Sequence, residues 1–168
     1  MVTIKHRLYF VITVSFAILF SHDCHLEVGQ LAPDFSLKDQ NDSLHVLSNY
    51  QGHKMAIYFY PKDNTPGCTK EACSIRDNFS ILKENNIKIL GISYDNAENH
   101  RSFINKHKLP FDLLSDLDKS VSKQYCAKGW FMPQRKTILI NEKGAIVYIF
   151  EEVNVGEHGL EIFEKFYP

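Results

Sequence analysis

The stretch YFYPKDNTPGCTKEACSIRDNF, residues 58–79, joins a predicted strand to a predicted helix. It begins at the end of an apolar run, MAIYFY (55–60), which has the length and composition of a buried central strand. Thr65 is a favourable N-cap and Pro66 a favourable first helical residue, so a helix is predicted to begin here. Apolar residues at helical spacing continue that helix along one face: Ala72, Ile75, Phe79 and Leu82. The chain therefore passes from a buried strand into a helix with a cysteine, Cys68, in its first turn.

Outward from this unit, short β-rich runs alternate with amphipathic stretches. Residues 32–37 are predicted to form an edge strand or an extended arm. Further strands are predicted at 87–93 and 111–116, and at 135–140 and 145–150, where NEKG between the last two indicates a hairpin. Further helices are predicted at 97–109, 119–127 and 157–167. This order of elements predicts an α/β fold, a three-layer sandwich with a sheet between helices.

The N-terminus is set apart from the fold. Lys5, His6 and Arg7 precede the apolar run LYFVITVSFAILF (8–20), which is the layout of a secretory signal peptide. Residues 1–21 are therefore predicted to be a signal peptide or an N-terminal anchor, and Ser21 is the best local cleavage position. We expect an exported protein, periplasmic or secreted, whose single domain spans 27–168.

The overall charge excludes one class of partner. The chain has 168 residues and a net charge of −1, so no field of the whole molecule favours nucleic acid or an anionic membrane. A small, roughly neutral partner is the better expectation.

Cys68 is the leading candidate for chemistry. A thiol attacks only as thiolate, and the positive end of a helix or a nearby cation favours the thiolate form of a cysteine. Gly67 keeps bulk away from the sulfur, and the Thr65 hydroxyl can accept from a backbone N–H while it donates toward a thiolate or a bound oxygen. The alternative is a helix start that contains a buried, inert cysteine.

A second cysteine, Cys73, follows five residues later in the same predicted helix. In an ideal helix that spacing puts the two Cα atoms roughly 8–9 Å apart, beyond the approximately 7 Å limit for a disulfide. If the two bond, the first helical turns must unwind. The spacing differs from the Cys-x-x-Cys of thioredoxin-like oxidoreductases. A zinc site that includes these cysteines, or His22, Cys24 and His25, is a further alternative, although no pair has an ordinary zinc spacing.

The motif around these cysteines resembles that of a known family. Pro61, Thr65 and Cys68 form Pro-x-x-x-Thr-x-x-Cys, which resembles the peroxiredoxin active-site signature. The continuation TKEACSIRD (69–77) is similar to the bacterioferritin comigratory protein, or Q-type, branch. The resemblance extends to 29–37, 89–93, 111–116, 129–135 and 138–144, and so covers nearly everything after about Glu27.

The resemblance implies a thioredoxin-like fold with a central mixed β-sheet, and a role for each matching residue. Cys68 would be the peroxidatic cysteine and Cys73 the resolving one, joined in an intramolecular disulfide during turnover. Thr65 would orient the peroxide, and Pro61 would shield the pocket from water. Arg135, just before a late strand, would stabilise the thiolate and the charge that develops as the O–O bond breaks.

The resemblance also implies an activity and partners. The chain would be a peroxidase of hydrogen peroxide and organic hydroperoxides, recycled by thioredoxin or a similar dithiol, monomeric, and without cofactor or metal. A second hypothesis is an exported thiol-disulfide exchange or redox-sensing protein that consumes peroxide slowly.

Several other residues are interpreted as structural. Cys126, where the branch commonly has a small residue, is expected to be a core cysteine that packs as a small hydrophobe. His100 and His107 are expected to be solvated helix positions. Trp130, Phe131 and Met132 are expected to pack beside the mouth of the active site.

Overall fold

A computed structural model of the chain describes residues 24–167. The predicted signal peptide or anchor at 1–21 lies outside the described residues. Within 24–167, none of the helices combines the length and the apolar character that a membrane crossing requires.

The described chain contains seven strands, five α-helices and one short 3-10 helix. The strands are β1 (Ser36–Asp39), β2 (Leu44–Val46), β3 (Lys54–Phe59), β4 (Ile87–Ser93), β5 (Asp112–Ser115), β6 (Lys136–Ile140) and β7 (Ile146–Phe150). The helices are α1 (Pro66–Asp77), α2 (Phe79–Glu84), α3 (Ala97–His107), α4 (Ser120–Gln124) and α5 (His158–Phe166), and the 3-10 helix is Leu47–Tyr50.

The strands form one mixed sheet in the order β2-β1-β5-β4-β3-β6-β7. Strands β3, β4 and β5 are parallel to one another, whereas β6 runs antiparallel to β3 and pairs Phe59 with Lys136. The carboxyl ends of β3, β4 and β5 therefore lie on the same side of the sheet as the start of β6. At these strand ends the segment after β3 lies next to Arg135.

The two faces of β3 supply two separate hydrophobic cores, because side chains alternate along a strand. Ala56 and Tyr58 pack with Ile75, Phe103 and other residues of the α1, α2, α3 and α5 side. Residues 55, 57 and 59 pack on the opposite face, where Tyr125 follows α4. The predicted three-layer α/β sandwich is confirmed.

Four details of the secondary structure differ from the prediction. The segment predicted at 32–37 contains strand only from Ser36, where β1 begins and pairs with β2. The helix that begins at Pro66 ends at Asp77, because the Asn78 side chain donates to the Ser74 carbonyl and the chain restarts as α2. The α4 helix is shorter than predicted and ends at Gln124. Strand β2 was not predicted, since LHV (44–46) is only three residues long and antiparallel pairing with β1 defines it.

The second half of α1 is held tightly against α5. The Gly159 N–H donates to the Ser74 hydroxyl at 3.1 Å. A Cβ atom at Gly159 would lie 2.4 Å from the Ser74 carbonyl oxygen, so a glycine is needed for this approach. On the other side of α1, Arg76 donates to the His107 carbonyl at 2.7 Å. Both contacts involve residues that follow Cys73 in the helix.

A disulfide joins Cys24 to Cys126, with Cα atoms 5.3 Å apart. The interpretation of Cys126 as a small core hydrophobe was therefore wrong. Cys126 lies at the end of the α4 region with a φ of 54°, half-buried, where it meets the start of the described chain. The two cysteines are 102 residues apart in sequence, and no local pattern relates them. The bond also removes Cys24 from any zinc site with His25.

Candidate active site

Cys68 is the third residue of α1, and only 1% of its surface is exposed. It packs in the same core cluster as Ala72 and Tyr58. It is a free thiol, and the first-turn N–H groups of α1 surround its position. A sulfur held there is sheltered from water and close to the positive end of the helix.

The Arg135 guanidinium reaches the sulfur from the neighbouring strand. Its Nη2 donates to Cys68 Sγ at 3.4 Å, and Arg135 immediately precedes β6. A Cβ atom at Gly67 would lie 3.3 Å from the same Nη2, so the glycine leaves room for the guanidinium. Arg135 therefore lies beside Cys68, as the family resemblance implied. A fixed positive charge at this distance stabilises a negative sulfur.

Glu71 orients the guanidinium, a role that was not predicted from the sequence. Its carboxylate is fully buried and accepts from Arg135 Nη1, so the arginine bridges Glu71 and Cys68. The other oxygen, Oε1, has no hydrogen-bond partner among residues 24–167. The available signal was an acidic residue three positions after Cys68, one helical turn away. Buried carboxylates need a charged or polar partner, and Arg135 supplies it.

Thr65 is the N-cap residue of α1, as predicted, but its side chain does not cap the helix. The hydroxyl instead donates to the Lys62 carbonyl at 2.9 Å. That bond fixes the hydroxyl proton and leaves the oxygen lone pairs free to accept. The hydroxyl proton therefore points to Lys62 and not to the Cys68 sulfur.

Buried polar side chains hold the segment between β3 and α1. Asp63 accepts from the Tyr60 hydroxyl at 2.7 Å and is 2.8 Å from His100 Nδ1, while its backbone N–H donates to Asp95 at 3.0 Å. The prediction that His100 is solvated was wrong, since the side chain is fully buried. Asp63 is 37 residues away in sequence, so the helical pattern around His100 does not reveal it. His107 is half-buried, with its ring against Phe103.

A second buried histidine lies behind Arg135. His158 Nε2 is 2.8 Å from the Thr137 hydroxyl, on the strand that Arg135 precedes. Burial, with a smaller effect from the positive charge of Arg135, lowers the pKa of His158 to about 3. This histidine is therefore neutral at physiological pH, and it adds no second positive charge near Arg135.

Cys73 is half-buried and lies on the same helix as Cys68, and it too is a free thiol. Its neighbour Arg76 hydrogen-bonds Asp77, which raises the pKa of Arg76, and Cys73 adds a smaller effect in the same direction. Both cysteines lie within an intact α1, and the helix has to open before they can bond.

Pro61 forms one wall of a surface cavity of about 420 Å³ that also contains Lys62, Tyr94, Phe131 and Met132. The expectation that residues 130–132 pack beside the site is only partly met. Phe131 and Met132 line this cavity, but Trp130 and Phe131 are 84% and 82% exposed. Their rings contact each other, with centroids 6.2 Å apart.

A group of possible metal ligands lies on strands β1, β2 and β5. Asp39, His45 and Asp112 place one donor atom each within 4.8 Å of the others. His45 Nε2 is already 3.1 Å from Asp39, and its Nδ1 is 2.5 Å from the Tyr50 hydroxyl. Because both ring nitrogens are engaged within the protein, these residues are explained as a hydrogen-bonded network.

Comparison with known proteins identifies relatives of this chain. Residues 28–149 match the sequence model of the AhpC/TSA family. The chain is 43% identical over 145 residues to the putative peroxiredoxin bcp of Coxiella burnetii, an alignment that covers 82% of this chain and 96% of that protein.

Solved structures agree with the sequence comparison. A crystal structure of a PrxQ mutant from Xylella fastidiosa has a TM-score of 0.80 at 28% identity and covers 84% of this chain and 96% of that one. The bacterioferritin comigratory protein of Xanthomonas campestris, solved in a study of its alkyl peroxide reduction activity, has a TM-score of 0.75 at 29% identity over 84% of this chain and 96% of that one. The predicted thioredoxin-like architecture with a mixed central sheet is confirmed.

Proposed function

This chain belongs to the AhpC/TSA family and is a thiol-dependent peroxidase of the peroxiredoxin type, and from that premise we propose that peroxide oxidises Cys68. The observation that carries the assignment is the 3.4 Å contact between Arg135 Nη2 and a thiol buried in the first turn of α1. Cys73 is in the same helix but farther from its N-terminus, and the hydrogen bond from Arg135 goes to Cys68 and not to Cys73.

The reaction begins with the Cys68 thiolate. Its sulfur donates an electron pair to the terminal oxygen of hydrogen peroxide or an organic hydroperoxide, an S–O bond forms and the O–O bond breaks. The leaving hydroxide or alkoxide takes a proton and departs as water or alcohol. Cys68 is left as a sulfenic acid.

The surrounding residues assist this step in different ways. Arg135, held by Glu71, stabilises both the thiolate and the negative charge on the breaking O–O bond. The Thr65 oxygen accepts a hydrogen bond from the peroxide, since its own proton is fixed on Lys62. Pro61 covers the approach and excludes water. The alkyl peroxide reduction activity of the similar Xanthomonas campestris protein supports an organic hydroperoxide as a substrate here.

Cys73 resolves the sulfenic acid after part of α1 opens. The Cys73 thiol attacks the Cys68 sulfur, so that a disulfide forms and water leaves. The Ser74–Gly159 and Arg76–His107 contacts anchor the helix after Cys73. Opening is therefore confined to the turns between Pro66 and Cys73, which must release Glu71 from its buried position.

An external dithiol returns the enzyme to its starting state. It supplies two electrons and two protons to the Cys68–Cys73 disulfide and is itself oxidised to a disulfide. A thioredoxin-like protein is the expected donor. The alternative, a thiol-disulfide exchange protein, is not favoured by the relatives, which are named peroxiredoxins.

Stopped-flow oxidation and insulin reduction separate the two functions. The peroxidase should react rapidly with hydrogen peroxide and reduce insulin no faster than a small dithiol control. Efficient insulin reduction with slow peroxide oxidation would instead support the exchange protein.

Replacing Arg135 by glutamine should slow the reaction of Cys68 with peroxide by roughly 10²- to 10³-fold, because one charged donor to the reacting atoms is lost. The protein used for this test is the double variant Arg135→Gln/Glu71→Gln, because Arg135→Gln alone would leave the buried Glu71 carboxylate unpaired. The rate constant is measured by stopped flow. Lys136→Gln is the matched control, since Lys136 pairs with Glu151 and should retain the wild-type rate. A wild-type rate in the double variant would remove Arg135 from the mechanism.

Export and a monomeric state complete the proposal. The Cys24–Cys126 disulfide supports an oxidising compartment, where such bonds form and persist. Cleavage after Ser21 would leave a mature chain that begins just before Cys24 and contains the domain at 27–168. Intact mass of the exported protein reports the N-terminus, and sedimentation reports the oligomeric state.

A further inference from the structure

The loop before β6 presents a large apolar tip to solvent. Its most exposed members are Trp130 and Phe131, at 84% and 82%, and Met132 is 46% exposed. Leu117, 64% exposed, lines the same cavity as Phe131 and Met132. Exposed apolar surface of this kind, contiguous and at a cavity mouth, indicates a binding partner.

The base of the loop is fixed. The Gln134 N–H donates to the Ala127 carbonyl at 2.7 Å, which closes the loop. At Gly129, a Cβ atom would lie 2.0 Å from the Met132 carbonyl oxygen, so the chain folds back closely on itself. The two aromatic rings therefore extend from a closed and anchored loop.

Basic groups surround the tip. Lys119 Nζ donates to the Trp130 carbonyl at 3.0 Å, Lys62 lines the adjoining cavity, and Lys128 is exposed two residues before Trp130. Asp118 is exposed next to Leu117, and Asp95, which is buried, lines the same cavity as Lys62. Aromatic side chains flanked by lysines are typical of protein surfaces that insert into the headgroup region of an anionic bilayer.

The Cys24–Cys126 disulfide connects this loop to the apolar run of the N-terminus. Cys126 is four residues before Trp130, and Cys24 is four residues after Phe20, the last residue of the run LYFVITVSFAILF. Four residues span at most about 14 Å. When residues 1–21 are retained as an N-terminal anchor instead of being cleaved after Ser21, a bilayer that receives residues 8–20 is held near the tip by a covalent bond.

From these two independent observations we infer that the 128–133 loop docks on a lipid bilayer and brings the active site to hydroperoxides held in that bilayer. The inference rests on the proposed function, since Cys68 performs the same step: its sulfur takes the terminal oxygen of a phospholipid hydroperoxide and the lipid alcohol remains. Pro61 and Phe131 line the cavity on this side of the molecule, so the docked tip adjoins the approach to the site.

Trp130 reports docking directly because it is the one tryptophan in the sequence. The full chain, residues 1–168 verified by mass, is mixed with phosphatidylcholine and phosphatidylglycerol vesicles that contain brominated acyl chains. We expect the Trp130 emission to shift to shorter wavelength and to lose most of its intensity. Unchanged emission would overturn the inference. Emission that responds to a thioredoxin-like protein but not to vesicles would overturn it in favour of a protein partner.

The tether and the substrate are tested separately. A Cys24→Ser/Cys126→Ser variant should show weaker quenching, and undiminished quenching would overturn the role of the disulfide. Trp130→Ser should slow turnover of vesicle-held phospholipid hydroperoxide by roughly tenfold, the effect of losing one buried aromatic anchor. Equal turnover by this variant and the wild type would overturn the substrate assignment.

Two controls distinguish a failure of the docking inference from a failure of the proposed peroxidase function. Leu44→Ser removes an apolar side chain that is 61% exposed on β2, and it should match the wild type in every vesicle assay. Hydrogen peroxide in vesicle-free buffer should react equally with the wild type, Trp130→Ser and Leu44→Ser. Loss of that reaction in the wild type would contradict the proposed function itself, whatever the vesicles show.

Discussion

Cys68→Ser protein is expected to lose rapid peroxide consumption, with a fall of at least about 10³-fold in the rate constant, because a serine hydroxyl is a far weaker nucleophile than a thiolate. The substitution is nearly isosteric in a site that is 1% exposed, so the fold should be preserved. The rate is measured by stopped flow with excess hydrogen peroxide and no added reductant.

The Cys24→Ser/Cys126→Ser variant is the matched control for this experiment. It also removes sulfur from the chain, but from a disulfide outside the proposed cycle, so it should keep the first rapid reaction with peroxide. Rapid peroxide consumption by Cys68→Ser, with its circular dichroism unchanged, would move the reactive sulfur elsewhere.

Cys73→Ser protein should separate the first step from the rest of the cycle. Cys68 keeps its contact with Arg135, so one equivalent of peroxide should be consumed at close to the wild-type rate. The sulfenic acid then has no partner thiol in α1, and turnover with a thioredoxin-like reductant should fall by about 10²-fold or more.

Ser80→Ala is the control for the loss of a small polar side chain. Ser80 is exposed on α2, and its replacement leaves both cysteines and the Ser74–Gly159 contact in place, so both the burst and the turnover should persist. Steady-state turnover of Cys73→Ser at the wild-type rate would show that resolution uses another thiol.

Local sequence patterns were sufficient for the framework of this site. The apolar run before Pro61 and the Thr65-Pro66 start predicted the strand and helix that hold Cys68. Residue 135 was predicted beside Cys68 from the family resemblance, and the antiparallel pairing of β3 with β6 explains that proximity.

What the sequence did not reveal depends on contacts between distant residues. The bond between Cys24 and Cys126 spans 102 residues, and the burial of His100 depends on Asp63 in another segment. Neither has a local pattern that distinguishes it. Glu71 had a weak signal, its spacing from Cys68, but its role depends on where Arg135 arrives from β6. The break at Asn78 was also hidden, because the apolar spacing continues into α2.

The proposed mechanism requires that the Cys68 sulfur takes the peroxide oxygen. Cys73→Ser protein is treated with one equivalent of hydrogen peroxide, the sulfenic acid is trapped with a 1,3-dione, and the peptides are mapped by mass spectrometry. We expect the label on Cys68, with Cys24 and Cys126 still joined. Peroxide consumption with the label on another cysteine and none on Cys68 would contradict the proposed mechanism.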